Sequence, residues 1–145
     1  MAHLRTNIRR IRSAIADDPA LAIGSSKELV EATCKAILSE GGGAAPDKAE
    51  ITDLVALVLE RLDLLAKNVS SEKKGVQSIK KVLGSLAQAV QGLAELRNLY
   101  GSGHGKGPNE RGPTARHARL CSGAASTLAT FLMETAVQRR VTAES

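Results

Sequence analysis

Apolar residues recur about once per helical turn through most of the chain. Leu4, Ile8, Ile11 and Ile15 form a seam along residues 4–16 whose opposite side is basic, which predicts a short amphipathic helix. Asp18-Pro19 then has the form of an N-cap followed by proline at the first helical position. A second helix is expected to about Glu40, with Leu21, Leu29, Val30, Thr33, Cys34, Ile37 and Leu38 facing inward. Gly41-Gly42-Gly43 ends it, and Ala44-Ala45-Pro46 keeps the chain out of helix. Asp47-x-x-Glu50 resembles a capping box that opens a third helix. Its stripe is Ile51, Leu54, Val55, Val58, Leu62 and Leu65, widened by Leu57, Leu59 and Leu64. Asn68 and Ser70-Ser71 mark the next turn. The longest helix then runs from about Glu72 through Val76, Ile79, Val82, Leu83, Leu86, Val90, Leu93 and Leu96 to Tyr100, and Gly84 and Gly92 permit close helix contact or a slight bend.

The helical pattern stops at Gly101. Glycines at 101, 103, 105, 107 and 112, with Pro108 and Pro113, propagate neither a helix nor a central strand. Thr114 is positioned to cap a last helix carrying Ala118, Cys121, Ala125, Leu128, Phe131 and Leu132. No segment alternates with period two and no internal repeat is visible. The pattern therefore predicts an all-α bundle of about five helices, a single domain over residues 1–145, with a long Gly-rich loop before the last helix.

Composition refines this expectation. With one Tyr, one Phe and no Trp, the core has to be built from Leu, Ile, Val and Ala. Cys34 and Cys121 are too few for a disulfide framework and fall where small buried hydrophobes fit, so a reducing, cytoplasmic setting is the default. No run of 18 apolar residues occurs, which predicts no membrane partner. The Arg-rich start is similar in composition to a transit peptide, but its regular apolar spacing and its passage straight into Asp17-Asp18-Pro19 mark a structural helix. Charge is unevenly placed: residues 1–16 and 97–119 each carry a net four positive charges, so the remainder of a +5 chain is negative. Such localisation favours a polyanionic partner, although a charge run is more often only a solvated face.

The Gly-rich stretch is the place to look for chemistry. "YGSGHGKG" at 100–107 fails as a phosphate-binding P-loop, because Tyr100 and Gly107 stand where glycine and Ser/Thr are required and a helix precedes it. His104, His117 and Cys121 lack a second ligand pair at metal-like spacing, so no metal and no cofactor are expected. A loop of this length is a catalytic or anion-binding element, or else a bland connector with Arg97 snorkelling to solvent and His104 exposed. Spacing alone leaves the two even.

"DPALAIGSSKELVEATCKAIL" at 18–38, "LRNLYGSGHG" at 96–105, "RHARL" at 116–120 and "TLATFL" at 127–132 together resemble the abortive-infection C-terminal (Abi-C) domain family, across nearly the whole chain. That family looks like a branch of the HEPN superfamily. Its active members are metal-independent ribonucleases of antiviral defence, marked by Arg, a polar residue, and His with four to six residues between it and the Arg. Arg97, Asn98 and His104 fall on that pattern at its upper spacing limit. The resemblance implies a phage-defence or toxin-type endoribonuclease, working on RNA as a homodimer and restrained by an antitoxin or regulatory domain. The alternative is a non-catalytic dimerisation or nucleic-acid-binding module of a larger defence protein.

The chemistry can be stated on its own terms. Attack of a 2′-hydroxyl on the neighbouring phosphorus needs a base, an acid and positive charge for the phosphorane. Histidine serves either proton role near neutral pH, and arginine offers a permanent charge with a fork of donors. One His cannot be acid and base at once, so a symmetric dimer that pools two His104 and two Arg97 fits the stoichiometry. Asn98 would orient the phosphate or His104, and Lys106, Arg111, Arg116 and Arg119 would hold flanking phosphates. His117 reads more readily as a capping residue than as a second catalytic histidine, and Tyr100 as core rather than a base-stacking platform. Lys27, Glu28, Glu31 and Lys35 read as paired charges on a solvent face, and Gly24 among them as a point of close packing. The scarcity of aromatics predicts weak sequence-specific reading of single strands.

Overall fold

The structure, a computed structural model, describes residues 1–40, 42–62, 70–101 and 112–144, with the backbone alone at 70–74, 100–101, 141 and 143–144. It contains five α-helices: α1 (Ala2–Ala14), α2 (Pro19–Glu40), α3 (Ile51–Arg61), α4 (Ser70–Gly101) and α5 (Ala115–Glu144). No strand occurs among the described residues. The all-α expectation is met.

Helix α2 begins where the sequence places it. Asp18 accepts the Leu21 amide on Oδ1 at 3.1 Å, and its carbonyl accepts the first helical bond from Ala22. α3 starts three residues later than expected. Lys48 takes a φ of 66°, which breaks any helix through 47–49, and the reciprocal capping box is formed by Glu50 and Asp53 instead. Leu64, Leu65 and Asn68 lie outside the described residues.

The centre of the bundle is the α2–α5 interface, and α2 also touches α1, α3 and α4. Ala22, Ala118, Ala125 and Ala129 are fully buried with Ile23, Val30, Cys34, Leu128 and Leu132. These small residues let the helix backbones approach closely, and the branched aliphatics fill the space between them. Buried hydroxyls are satisfied within α2: Ser26 donates to the Ala22 carbonyl at 2.7 Å and Thr33 to that of Leu29 at 2.8 Å.

Two inward assignments are corrected. Leu21 is 53% exposed, and on α5 Phe131 is 37% exposed. On α4 the buried row is Leu83, Ala87, Val90 and Ala94, while Ile79 and Val82 are exposed and Leu86 and Leu93 only partly covered. Two alanines therefore define the core side of α4, and the larger aliphatics flank it. α5 is also long and apolar enough in composition to cross a membrane, a property the count of consecutive apolar residues misses because Ser and Thr break up the stretch between Arg119 and Glu134. Half of the window is buried within the bundle, as in the core helix of a packed protein.

Candidate functional site

Arg97 lies four residues before the end of α4, half-buried, and its guanidinium rests on α2 at Gly24. A Cβ placed on Gly24 would lie 3.2 Å from Arg97 Cζ, 3.3 Å from Nη1 and 3.4 Å from Nη2. Bonded carbon and nitrogen of this kind lie about 1.3 Å apart, so an edge-on approach would spread the three distances by about that much. Their near equality means that the flat face of the group is laid against the α2 backbone. The two helices run antiparallel here: Gly24 meets Arg97, and Lys27 to Lys35 share a cavity with Gln91, further back along α4.

Covering one face leaves the five N–H donors in the guanidinium plane. Among the described residues Arg97 has neither a carboxylate partner nor a hydrogen bond. An anion at the open edge of a half-buried guanidinium offsets the cost of its burial. Asn98, next along α4, is exposed and likewise without a bonded partner among the described residues. The last carbonyls of α4 point the same way along the axis and make that helix end favourable to cations.

On the far side of the Gly-rich stretch, Thr114 precedes α5 and its carbonyl accepts the Ala118 amide at 3.1 Å. The Thr114 amide donates to His117 Nδ1 at 3.1 Å, and the Thr114 hydroxyl lies 2.9 Å from the same nitrogen. His117 thus does for the cap what Glu does in a capping box, accepting the N-cap amide. Nδ1 is thus engaged in the cap, the role expected of this residue. Arg116 and Arg119, three residues apart, are exposed on the first turns of α5, where no acidic residue stands.

α4 and α5 pack against each other, so Arg97 and Asn98 sit near one end of the connecting segment and Arg116, His117 and Arg119 near the other. No hydrogen bond or ion pair links the two groups among the described residues. His104, Lys106 and Arg111 lie outside the described residues, as does the side chain of Tyr100. The expected meeting of Arg97 with His104 lies outside them too. Lys27 and Glu31 form the i,i+4 pair expected of a solvent face, at 3.7 Å.

Other chemistry is confined. Burial pushes the Cys34 thiol up to about 12, with Glu31 adding in the same direction. Cys121 is pushed up to about 11 by burial, partly offset by Ser26. Both stay protonated and unreactive near neutral pH. Among the described residues no three His, Cys, Asp or Glu side chains are grouped to hold a metal ion. Sequence reasoning marked Gly24 as a point of close packing without identifying Arg97 as the group packed there. The available signal was a glycine inside a helix, where it costs up to about 1 kcal/mol relative to alanine and no turn calls for it.

No curated protein and no solved structure matches the chain. A family model described as a HEPN-like domain matches residues 2–136, which takes in all of α1 to α4 and most of α5, including Gly24, Arg97, Asn98, Arg116 and Arg119. The chain belongs to the Abi-C family of HEPN-like domains.

Proposed function

We propose that the chain is a metal-independent endoribonuclease of a defence or toxin type, working as a homodimer with a composite site. Its HEPN-like family points to a nucleic-acid-related role in defence. The finer reading rests on one observation: a half-buried guanidinium held face-on against α2, with no carboxylate among the described residues to neutralise it.

In this reading Arg97 binds the scissile phosphate and stabilises the charge that grows on its non-bridging oxygens. His104 of one protomer takes the proton from the 2′-hydroxyl as the new P–O2′ bond forms. The partner's His104, protonated, delivers a proton to the 5′-oxygen as the P–O5′ bond breaks, leaving a 2′,3′-cyclic phosphate and a 5′-hydroxyl. Asn98 orients the phosphate or the imidazole. Lys106, Arg111, Arg116 and Arg119 hold neighbouring phosphates without reading sequence.

The test is incubation with total RNA in EDTA, with wild type beside Arg97→Ala and His104→Ala. Removing one transition-state donor or the proton carrier is expected to cost on the order of 10²–10³-fold in cleavage rate. Equal residual cleavage by all three proteins marks a contaminant and leaves a non-catalytic dimerisation or nucleic-acid-binding module as the reading. A monomer in light scattering at micromolar concentration removes the two-histidine site.

A further inference from the structure

Gly24 is separated from Arg97 by more than 70 positions in sequence, yet it is the residue on which the guanidinium rests. Three of the other glycines make a useful contrast. A Cβ on Gly84 or Gly92, both inside α4, would meet nothing within 4 Å. A Cβ on Gly43 would approach Arg61 through Nη2 alone, at 3.2 Å, with the Leu38 carbonyl at 3.8 Å. Of these four glycines, Gly24 alone has three guanidinium atoms of one arginine within 3.4 Å of the position that a side chain would fill. Carbon atoms in ordinary contact lie about 3.5–4.0 Å apart, so any residue larger than glycine has to move the guanidinium rather than merely touch it.

The group displaced is the far end of a flexible side chain, so the fold can absorb the change while the charge cannot stay where it was. We infer that Gly24 is a positioning residue for Arg97: its missing side chain is the seat that fixes the plane of the guanidinium and leaves its in-plane donors free at the edge to meet the phosphate. The seat also gives Arg97 a half-buried position in which no carboxylate among the described residues pairs with it. Of the two acids on the same stretch of α2, Glu31 is held by Lys27 and Glu28 forms no ion pair with Arg97. This inference rests on the ribonuclease reading for its functional consequence, and on the contact alone for the seat itself.

The experiment compares wild type, Gly24→Ala, Arg97→Ala and the double variant as full-length chains. Three quantities are read: the melting temperature, the Arg97 Nε–Hε resonance in a ¹⁵N–¹H spectrum, and cleavage of a single-stranded RNA beside binding of its 2′-O-methyl counterpart. Gly24→Ala is expected to stay folded, to shift or broaden the Arg97 resonance, and to lower kcat about tenfold with a smaller change in KM, the cost of a sub-ångström misplacement of a reacting group. In the Arg97→Ala background the same substitution is expected to have no further effect on cleavage. An Arg97 resonance that superimposes on the wild type overturns the seat, as does a Gly24→Ala defect of equal size without Arg97. Wild-type protein that leaves RNA intact overturns the nuclease reading, while the resonance still decides whether Gly24 seats Arg97.

Discussion

α2 and α4 are both long helices with interior glycine, yet the bundle uses them differently. α2 touches all four other helices, and nine of its residues are buried. α4 buries a narrow row, Leu83, Ala87, Val90 and Ala94, and leaves the aliphatics beside it half-open. Where the two meet, α2 offers a glycine and α4 an arginine. The enclosed helix is the scaffold, and the partly open one carries the charged group that the proposed chemistry needs. Catalytic groups gain from this arrangement, because a charge at the edge of an element stays reachable while its rigid support lies behind it.

The sharpest way to break this contrast is to truncate one residue on each helix. Ile23 on α2 is 0% exposed and Val82 on α4 is 54% exposed. Ile23→Ala is expected to cost about 2–5 kcal/mol in chemical denaturation, from lost transfer energy plus the cavity left behind. Val82→Ala is expected to stay within about 0.5 kcal/mol. Equal losses would mean that the open side of α4 is covered in solution, as by a second copy.

A second test separates the core from its surface through pH. Cys34 on α2 and Cys121 on α5 have thiols pushed up to about 12 and about 11 by burial. The native state therefore keeps protons that the unfolded chain releases above its ordinary thiol pKa near 8.5. The stabilisation is fully present below that pH and is lost as pH rises through the native values. Each thiol contributes a slope approaching about −1.4 kcal/mol per pH unit in that window. Unfolding measured from pH 7 to 10.5 should show the decline, and a Cys34→Ala/Cys121→Ala variant should lose that part of it. An unchanged slope in the variant would assign the alkaline decline to other groups.

Much of this architecture is legible in the chain because periodicity and caps are local. Asp18-Pro19 and Thr114 mark helix starts, and α2 runs from Pro19 to Glu40 as its spacing predicts. What periodicity cannot rank is size against burial. Ala87 and Ala94 form the core row of α4 because alanine admits a neighbouring helix closely, so the larger Ile79 and Val82 fall outside it. Asp47 and Glu50 share a capping pattern with Glu50 and Asp53, and only the backbone turn at Lys48 decides between them. The site divides the same way. Arg97 and Asn98 were marked by their place before the break. The support of Arg97 by Gly24 is a contact across two helices that no local pattern encodes.

His117 gives the next smaller effect. Its Nδ1 accepts the Thr114 amide at the start of α5. His117→Ala is expected to cost about 1 kcal/mol, as the loss of a helix cap does. RNA cleavage measured well below the melting temperature should be unchanged. A loss of cleavage as large as that of Arg97→Ala would move His117 from the cap into the reaction.

The smallest effect tests the comparison most finely, because it uses one substitution in three places. Glycine inside a helix is about 1 kcal/mol worse than alanine, through the backbone freedom it loses on folding. At Gly84 and Gly92 a new methyl group meets nothing within 4 Å, so the propensity gain should appear nearly in full. For a chain of this length that is a rise of about 2–4 °C in melting temperature. At Gly24 the same gain is opposed by the work of moving the Arg97 guanidinium off its seat, so Gly24→Ala should gain less than either. The shortfall against Gly92→Ala measures that work, and it should disappear once Arg97 is alanine and nothing lies against the site. If all three substitutions raise the melting temperature equally with Arg97 in place, the arginine does not rest on α2 in solution and the two helices are not divided into support and reactive edge.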